Sequence, residues 1–520
     1  MMRLHDFLDY HARDFPDFDF AKFGDRLINY GEALSMANRI ANALVDSGLQ
    51  KGDRVAYLSK NSLEYPVFLF GCSKAGVTPV PLNYRLAPPE WTYIINDAEA
   101  KALFVSPLYV DAVNTIRGDL ETARMFIVVD REGADGFDAF YPWIEAQADT
   151  TPEREILPED DLYQMYTSGT TGHPKGAVLT HGAVTTHLHQ LSHRRRREPA
   201  EYNLIVAPMY HAAAATTAVA PVSTVGAMQI MEDFDPVEVV RALSEDDIAH
   251  VTLVPAMIQA CLVKAPDVAE RNYDTLRTIS YGASPIALET LRRAIEVFKC
   301  EFYQGYGMTE TTAVLTQMTH KELVRALAGE PGLLLSAGRP ILATQVKIID
   351  EDGNEVPRGQ VGEICGKGPQ LMRGYWNMPE VSAKTLRGGW MHTGDAGKMD
   401  EEGFVYIEDR VKDMIITGGE NVYPREVENC IFGHEAVADC AVIGVPSEEW
   451  GETIKAVVAL KDGAEATEEA IIEMCRQRIA HFKCPRSVEF IDELPRNASG
   501  KVLKRVLREE YWKGQDRGVS

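Results

Sequence analysis

No two cysteines in this sequence stand at C-x-x-C spacing. The eight that occur, Cys72, Cys261, Cys300, Cys365, Cys430, Cys440, Cys475 and Cys484, are scattered. That spacing is read as neither a zinc site nor a disulfide framework. Long apolar runs are missing as well. The least polar stretch, Ala212–Val225, is mostly Ala, Thr and Val, short of the roughly 20 apolar residues that a bilayer span needs. Met1–Phe20 is studded with Asp and His, so no signal peptide is read there. Positive charge is scarce. A net charge of −24 leaves no domain-wide basic surface, so nucleic acid is not expected as a partner, and anions must be held at local positive positions. Repeats and low-complexity tracts are absent. A cytoplasmic, reduced, globular protein without an integral membrane segment is the expectation.

At 520 residues the chain is too long for one core, since cores stop growing at roughly 250–300 residues. Short β-branched runs alternate with amphipathic stretches from Arg26 to about Leu386. The periodicity predicts strands at Arg54–Leu58, Ala102–Val105, Phe126–Val129, Leu204–Ala207, His250–Val254 and Thr278–Tyr281. Helices are predicted at Tyr30–Ser47, Ser62–Ala75, Pro88–Asn96, His181–Ser192, Pro236–Ser244 and Pro285–Phe298. Such alternation argues for parallel sheets with helices packed on them. Beyond Gln345 the texture shifts to strands with tight turns, at Val346–Asp350, Val361–Gly366 and Phe404–Glu408, a small antiparallel or barrel-like unit. A further compact pattern starts near Met414, with helices at Arg425–Cys430, Glu468–Ala480 and Val502–Tyr511. The fold class read is α/β (mixed α+β): a large N-terminal domain of two parallel-type βα subdomains plus a small β-barrel, and a small mobile C-terminal α+β domain. The divisions expected are 1–409, a hinge at 410–412, and 413–520.

One stretch organises the rest. Tyr166–Gly176 reads Y-T-S-G-T-T-G-H-P-K-G. Thr167, Ser168, Thr170 and Thr171 stand among Gly169, Gly172 and Gly176, with Lys175 as the cation. Hydroxyls and bare backbone N–H groups wrap a polyphosphate, and glycines let the main chain approach it. It is not a Walker loop, because Pro174 stands where that motif needs its second glycine. A turn-rich surface loop is the bland alternative. Tyr303–Glu310, Y-Q-G-Y-G-M-T-E, sets Gly305 and Gly307 around Tyr306, which suits a flat heterocycle, then Thr309 and Glu310, which suit a phosphate with its Mg²⁺. Gly389–Asp395 ends in a carboxylate able to accept two ribose hydroxyls. Asp409–Asp413 sits at the expected join between domains, followed by Gly418-Gly419, and N-A-S-G-K places Lys501 on a Gly turn. Each alone has an ordinary reading as a turn, a solvated charge cluster or a surface lysine.

Taken in this order the motifs resemble those of the adenylate-forming superfamily: acyl-CoA synthetases, non-ribosomal adenylation domains and firefly luciferase. The resemblance covers essentially the whole chain. It implies that Thr167, Ser168, Gly169, Thr170, Thr171, Gly172 and Lys175 close over the ATP β- and γ-phosphates. It implies adenine between Tyr306-Gly307 and backbone at Gly282-Ala283-Ser284, with Thr309 on the α-phosphate and Glu310 holding Mg²⁺. Asp395 would bind the ribose with Arg410 alongside. Lys501 would bridge the carboxylate and the α-phosphate, and Lys412 would be the hinge. Gly418 and Gly419 would line the CoA pantetheine tunnel, with His211 as the gate between tunnel and acyl pocket; a helix N-terminal histidine satisfied by backbone is its structural alternative. Tyr210 stands where Phe is common, and Tyr281–Pro285 replaces the frequent G-G-A-P.

The implied acyl pocket is lined by Tyr210, Ala212, Ala215 and Gly305. Its small side chains lead to the expectation of a medium- or long-chain fatty acid activated with ATP, Mg²⁺ and CoA. Two alternatives stay open: a CoA ligase for an aromatic, phenylpropanoid or sterol-derived acid, and an adenylation enzyme that loads a carrier protein. No carrier motif follows Lys501, which weighs against the last. A luciferase-like oxygenase shares the motifs. Arg194–Arg197 is similar in position to an arginine-rich lid of some long-chain synthetases, which would give weak peripheral membrane contact, although a charge run is usually just solvated. A homodimer is the family-level expectation.

Overall fold

The computed structural model describes residues 2–167, 174–193, 197–282, 286, 288–410, 413–417, 420–447, 450–496 and 502–513. The chain divides into two compact units, Met1–Gln345 with Lys367–Met391, and Val346–Gly366 with the chain from His392 onward.

In the first unit, one sheet runs Thr78–Pro81, Arg54–Leu58, Ala102–Val105, Met125–Val128 and Asp138–Ala139, every neighbouring pair parallel. Arg54–Leu58 and Ala102–Val105 are buried along their whole length, as strands covered on both faces must be. The larger, nine-stranded sheet is parallel from Asp19–Phe23 through Ala227–Ile230, Tyr202–Ile205, Ile248–Leu253 and Thr278–Gly282 to Glu301–Tyr306. Antiparallel strands close its ends, Arg26–Asn29 on one side and Thr316–Met318 with Arg339–Pro340 on the other.

Local chemistry sets the helix bounds. Tyr30–Asp46 opens on a capping box: the Glu32 N–H donates to Asn29 Oδ1 (2.8 Å) and the Asn29 N–H to Glu32 Oε2 (3.0 Å). Glu64–Ala75 is buried on every side and stops at Gly76, whose φ of 69° is left-handed. Both start within two residues of the sequence expectation. The strand expected at Leu204–Ala207 instead spans Tyr202–Ile205. Its polar start is held by side chains, because the Tyr202 hydroxyl donates to Asp19 and Asn203 Oδ1 accepts from Arg197 (2.7 Å). The helix expected from Pro285 is described from Leu288. The hairpin Asp19–Phe23/Arg26–Asn29 was not expected at all; it is fixed by pairing with Ala227–Ile230, about two hundred residues away.

In the second unit, the four-stranded sheet Gln345–Ile349, Gly362–Lys367, Met391–Met399 and Val405–Arg410 stands where the small antiparallel unit was expected. The remaining sheet runs Glu420–Val422, Ile415–Thr417, Gly451–Leu460 and Val437–Ser447, with Ser487–Phe490 parallel to Gly451–Leu460. Helices Pro424–Ile431 and Glu468–Arg478 supply Val427, Ile431 and Ile471 to a core with Ile415, Val442 and Val458. The helix expected at Val502–Tyr511 spans Lys504–Glu509; it starts late because Val502 forms a bridge with Arg496. No helix among the described residues is long and apolar enough to cross a membrane.

Candidate active site

Asp161–Thr167 and Lys175–Thr180 pair antiparallel, and Thr167 opposite Lys175 is the last pair. The Thr/Ser/Gly stretch is therefore the connection of a hairpin closed at its base. Ser168, Gly169, Thr170, Thr171 and Gly172 lie outside the described residues. Tyr166 anchors the first strand by donating its hydroxyl to Asp97 Oδ2 (2.5 Å), and the Tyr93 hydroxyl donates to the Pro174 carbonyl (3.3 Å). A third short strand, Gly374–Tyr375, pairs with Lys175–Thr180 so that Tyr375 stands beside Ala177. The next residue continues the contact, the Trp376 N–H donating to the Gly176 carbonyl (2.8 Å).

Tyr375 links two predicted site residues. Lys175 Nζ lies 5.3 Å from the centre of its ring, within cation–π range. Its hydroxyl donates to Glu310 Oε1 at 2.7 Å. Glu310 is only 8% exposed, and its own carbonyl accepts from the Met372 N–H (2.8 Å). A nearly buried carboxylate aimed by one hydroxyl, in the same unit as the phosphate-type hairpin, suits a hard dication. Tyr375 was missed in the sequence; within R-G-Y-W it gives no periodic signal.

The heterocycle platform is equally constrained. Gly282 and Gly305 are partners on adjacent parallel strands. A Cβ on Gly282 would collide with the Gly305 carbonyl oxygen, and one on Gly307 with that of Ala313. Both positions admit only glycine, because neighbouring backbone fills the place of a side chain, and they flank Tyr306 in the packing of this strand end. Ala283 and Ser284 lie outside the described residues. After Tyr306 the chain reverses through a 3₁₀ turn, Thr309–Thr311, into Thr312 with φ of 58°. A β-branched residue there is a true outlier, costing about 1–3 kcal/mol. Three bonds hold it. Its N–H donates to the Thr309 carbonyl (3.0 Å) and its Oγ1 to the Gln370 carbonyl (2.6 Å), while its carbonyl accepts from Thr216 Oγ1 (3.1 Å). Strain of this kind gathers at functional sites. The Thr216 bond also ties the turn to helix Ala212–Val219.

His211 is the N-cap of that helix, and its side chain makes no cap bond. Its Nε2 and the Tyr210 hydroxyl are buried and have no hydrogen-bond partner among the described residues. Nε2 of His211 therefore lacks the backbone partner that the structural alternative would give it. Burial, with Arg85 nearby, pulls the imidazole down to about 4, so it is neutral at pH 7. Tyr210 lies 4.2 Å from it, ring centre to ring centre, and meets Tyr84 edge-on at 5.3 Å. Ala212 and Ala215 are buried beside them, whereas Ala213 is exposed.

In the second unit, Asp395 is 7% exposed on Met391–Met399 and is the Cα partner of Arg410. The left-handed Gly394 (φ 71°) aims it. The Asp395 N–H donates to Thr393 Oγ1 (3.1 Å), which donates in turn to the Ile364 carbonyl (2.7 Å). Lys412, Gly418, Gly419, Lys501 and Arg194–Arg196 lie outside the described residues.

A family model described as AMP-binding enzyme matches residues 8–376, and one described as AMP-binding enzyme C-terminal domain matches residues 426–501. The chain is 38% identical to the fatty acid–[acyl-carrier-protein] ligase ScoC of Streptomyces coeruleorubidus, over 98% of this chain and 97% of that protein. It is 36% identical to a feruloyl-CoA synthase of an Amycolatopsis species, over 96% and 97%. Among solved structures, ATP-bound MatB from Rhodopseudomonas palustris superposes with a TM-score of 0.87 at 31% identity, covering 98% of this chain and 99% of that one.

Proposed function

The chain belongs to the AMP-binding enzyme family of ATP-dependent acyl ligases, and from that premise we propose that it joins a medium- or long-chain fatty acid to CoA through an acyl-adenylate. A carboxylate is a poor acyl donor because its leaving group is oxide. One carboxylate oxygen attacks the α-phosphorus of ATP, the bond to the β-phosphate breaks, and pyrophosphate leaves. The CoA thiol then attacks the carbonyl carbon, the C–O bond breaks, the thiol proton passes to solvent, and AMP departs with that oxygen.

Thr167 through Gly172 and Lys175 hold the β- and γ-phosphates. Tyr306, Gly307 and the backbone at Gly282, Ala283 and Ser284 take adenine. Thr309 contacts the α-phosphate, and Asp395 with Arg410 takes the ribose. Glu310, with Tyr375 behind it, is the fit for Mg²⁺, which when bound neutralises phosphate charge. Lys501 serves the first half-reaction. Residues 413–520 then turn about Lys412, within the division 1–409, 410–412 and 413–520, so that Gly418 and Gly419 face pantetheine for the second. The observation that carries the reading is the convergence of Lys175 and Glu310 on Tyr375. Tyr375→Phe is therefore expected to lower kcat/KM for ATP by at least about tenfold, the loss of a hydrogen bond to a charged group, about 1.5–3 kcal/mol. A variant with wild-type kinetics would remove Tyr375 from the site.

The fatty acid is favoured by the small apolar face of Ala212 and Ala215 and by likeness to ScoC, a fatty acid–[acyl-carrier-protein] ligase. An aromatic acid is the second reading, favoured by the edge-on Tyr84–Tyr210 pair and by likeness to the feruloyl-CoA synthase. The test is pyrophosphate release across acetate, octanoate, palmitate, benzoate and ferulate, each with and without CoA. Turnover peaking at octanoate or palmitate and requiring CoA is expected. A peak at benzoate or ferulate selects the second reading, and release that CoA never stimulates points to a carrier protein as acceptor.

A further inference from the structure

The strands that present Asp395 also carry a cluster that the acyl-transfer chemistry does not use. Glu363 and Cys365 stand two apart on Gly362–Lys367, so their side chains leave the same face. His392 reaches them from the neighbouring strand Met391–Met399. Its Nδ1 lies 2.8 Å from Glu363 Oε2 and 3.4 Å from Cys365 Sγ. One atom from each residue falls within 4.8 Å of the other two. The cluster is enclosed: Cys365 is fully buried and the His392 side chain is 9% exposed, while Glu363 at 21% leaves an approach from solvent.

Nδ1 of His392 offers either one proton or one lone pair, and an imidazole nitrogen, a sulfur and a carboxylate oxygen gathered this closely are a donor set that a cation can take. Metal–ligand lengths of about 2.3 Å to sulfur and about 2.0–2.2 Å to nitrogen and oxygen set tetrahedral edges of roughly 3.3–3.6 Å. The Sγ–Nδ1 separation already matches, and the Nδ1–Oε2 contact must open by roughly half an ångström.

We propose that Glu363, Cys365 and His392 form a binding site for a divalent cation of the Zn²⁺ class, with the fourth position left to water. Thiolate and imidazole select against Mg²⁺, so this site is chemically separate from the phosphate-bound dication at Glu310. Its outer support is already present: Glu363 Oε1 accepts the Gly394 N–H at 3.1 Å, the kind of bond that fixes a ligating carboxylate. Charge and protons balance simply. The thiol proton is released to solvent, His392 binds through an unprotonated Nδ1 with its ring proton on Nε2, and one proton leaves per ion bound.

The experiment titrates the chelator-stripped full chain with Co²⁺ as the optical probe and Zn²⁺ as competitor. One equivalent of Co²⁺ is expected to raise a near-ultraviolet thiolate-to-cobalt band that Zn²⁺ abolishes and Mg²⁺ leaves unchanged. Cys365→Ser is expected to lose the band, and Glu363→Gln to weaken Zn²⁺ binding by at least about tenfold. His392→Gln, which opens no cavity at the fully buried thiol, is the second variant should Cys365→Ser not fold, and the same weakening is expected of it. Four other cysteines, Cys430, Cys440, Cys475 and Cys484, lie in the C-terminal core. A band that survives Cys365→Ser would place the ion at another cysteine and overturn the proposal, as would a wild-type protein that raises no band.

Discussion

Lys501→Ala is expected to reduce acyl-adenylate formation by roughly 10²–10³-fold or more, the usual loss when one group opposite developing transition-state charge is removed. Attack on the α-phosphorus gathers negative charge on its oxygens while the carboxylate loses its own. A lysine bridging the two groups, the role proposed for Lys501, would stabilise that state more than the reactants, so the loss falls on kcat. The second half-reaction builds its charge elsewhere, on the carbonyl oxygen and the departing AMP. Thioester formation from supplied acyl-AMP and CoA should therefore stay within a few-fold of wild type. A single-turnover comparison of the two half-reactions settles the point, and equal loss in both would contradict a lysine that serves only the first. Lys412, the proposed hinge, gives the complementary arm. Lys412→Pro should slow the full cycle more than either isolated half-reaction, because only the cycle requires the turn.

Asp395→Ala should raise KM for ATP by roughly 10²-fold while changing kcat much less. A carboxylate that is 7% exposed is already stripped of most of its water, so two ribose hydroxyls meet it at little further cost. Hydrogen bonds to charged acceptors contribute about 1.5–3 kcal/mol each. Ribose does not react, so the energy is uniform binding and appears in KM. Asp395→Asn separates charge from shape. It keeps one acceptor oxygen and should recover part of the affinity, whereas an unchanged KM in either variant would remove Asp395 from the nucleotide site.

The sequence marked the polar stretches better than the residues that hold them. Tyr166–Gly176 stands out because threonines, serines and glycines rarely crowd without a reason, and its flanks do form the hairpin Asp161–Thr167/Lys175–Thr180. Tyr306 and Asp395 drew attention as an aromatic and a carboxylate next to glycine, and Glu310 as a carboxylate closing the same Gly-rich segment as Tyr306. Tyr375, Thr312 and Gln370 did not. Each acts through a partner remote in sequence: Tyr375 on Glu310, Thr312 on Thr216 and on the Gln370 carbonyl. No local pattern encodes such bonds. The same holds for folding at long range. Arg54–Leu58 announced itself by an unbroken buried run, but Asp19–Phe23 is a strand only because Ala227–Ile230 pairs with it. Tyr202–Ile205 hid its first two residues behind side chains that are polar yet internally bonded.

Activation of the acid as an adenylate leaves a signature that isotope tracing reads. Octanoate labelled with ¹⁸O in both carboxylate oxygens is turned over with ATP, Mg²⁺ and CoA, and the products are weighed by mass spectrometry. One ¹⁸O is expected in AMP, one in the octanoyl-CoA carbonyl and none in pyrophosphate. Label in inorganic phosphate with ADP as the nucleotide product, or AMP free of label, would contradict activation as an adenylate.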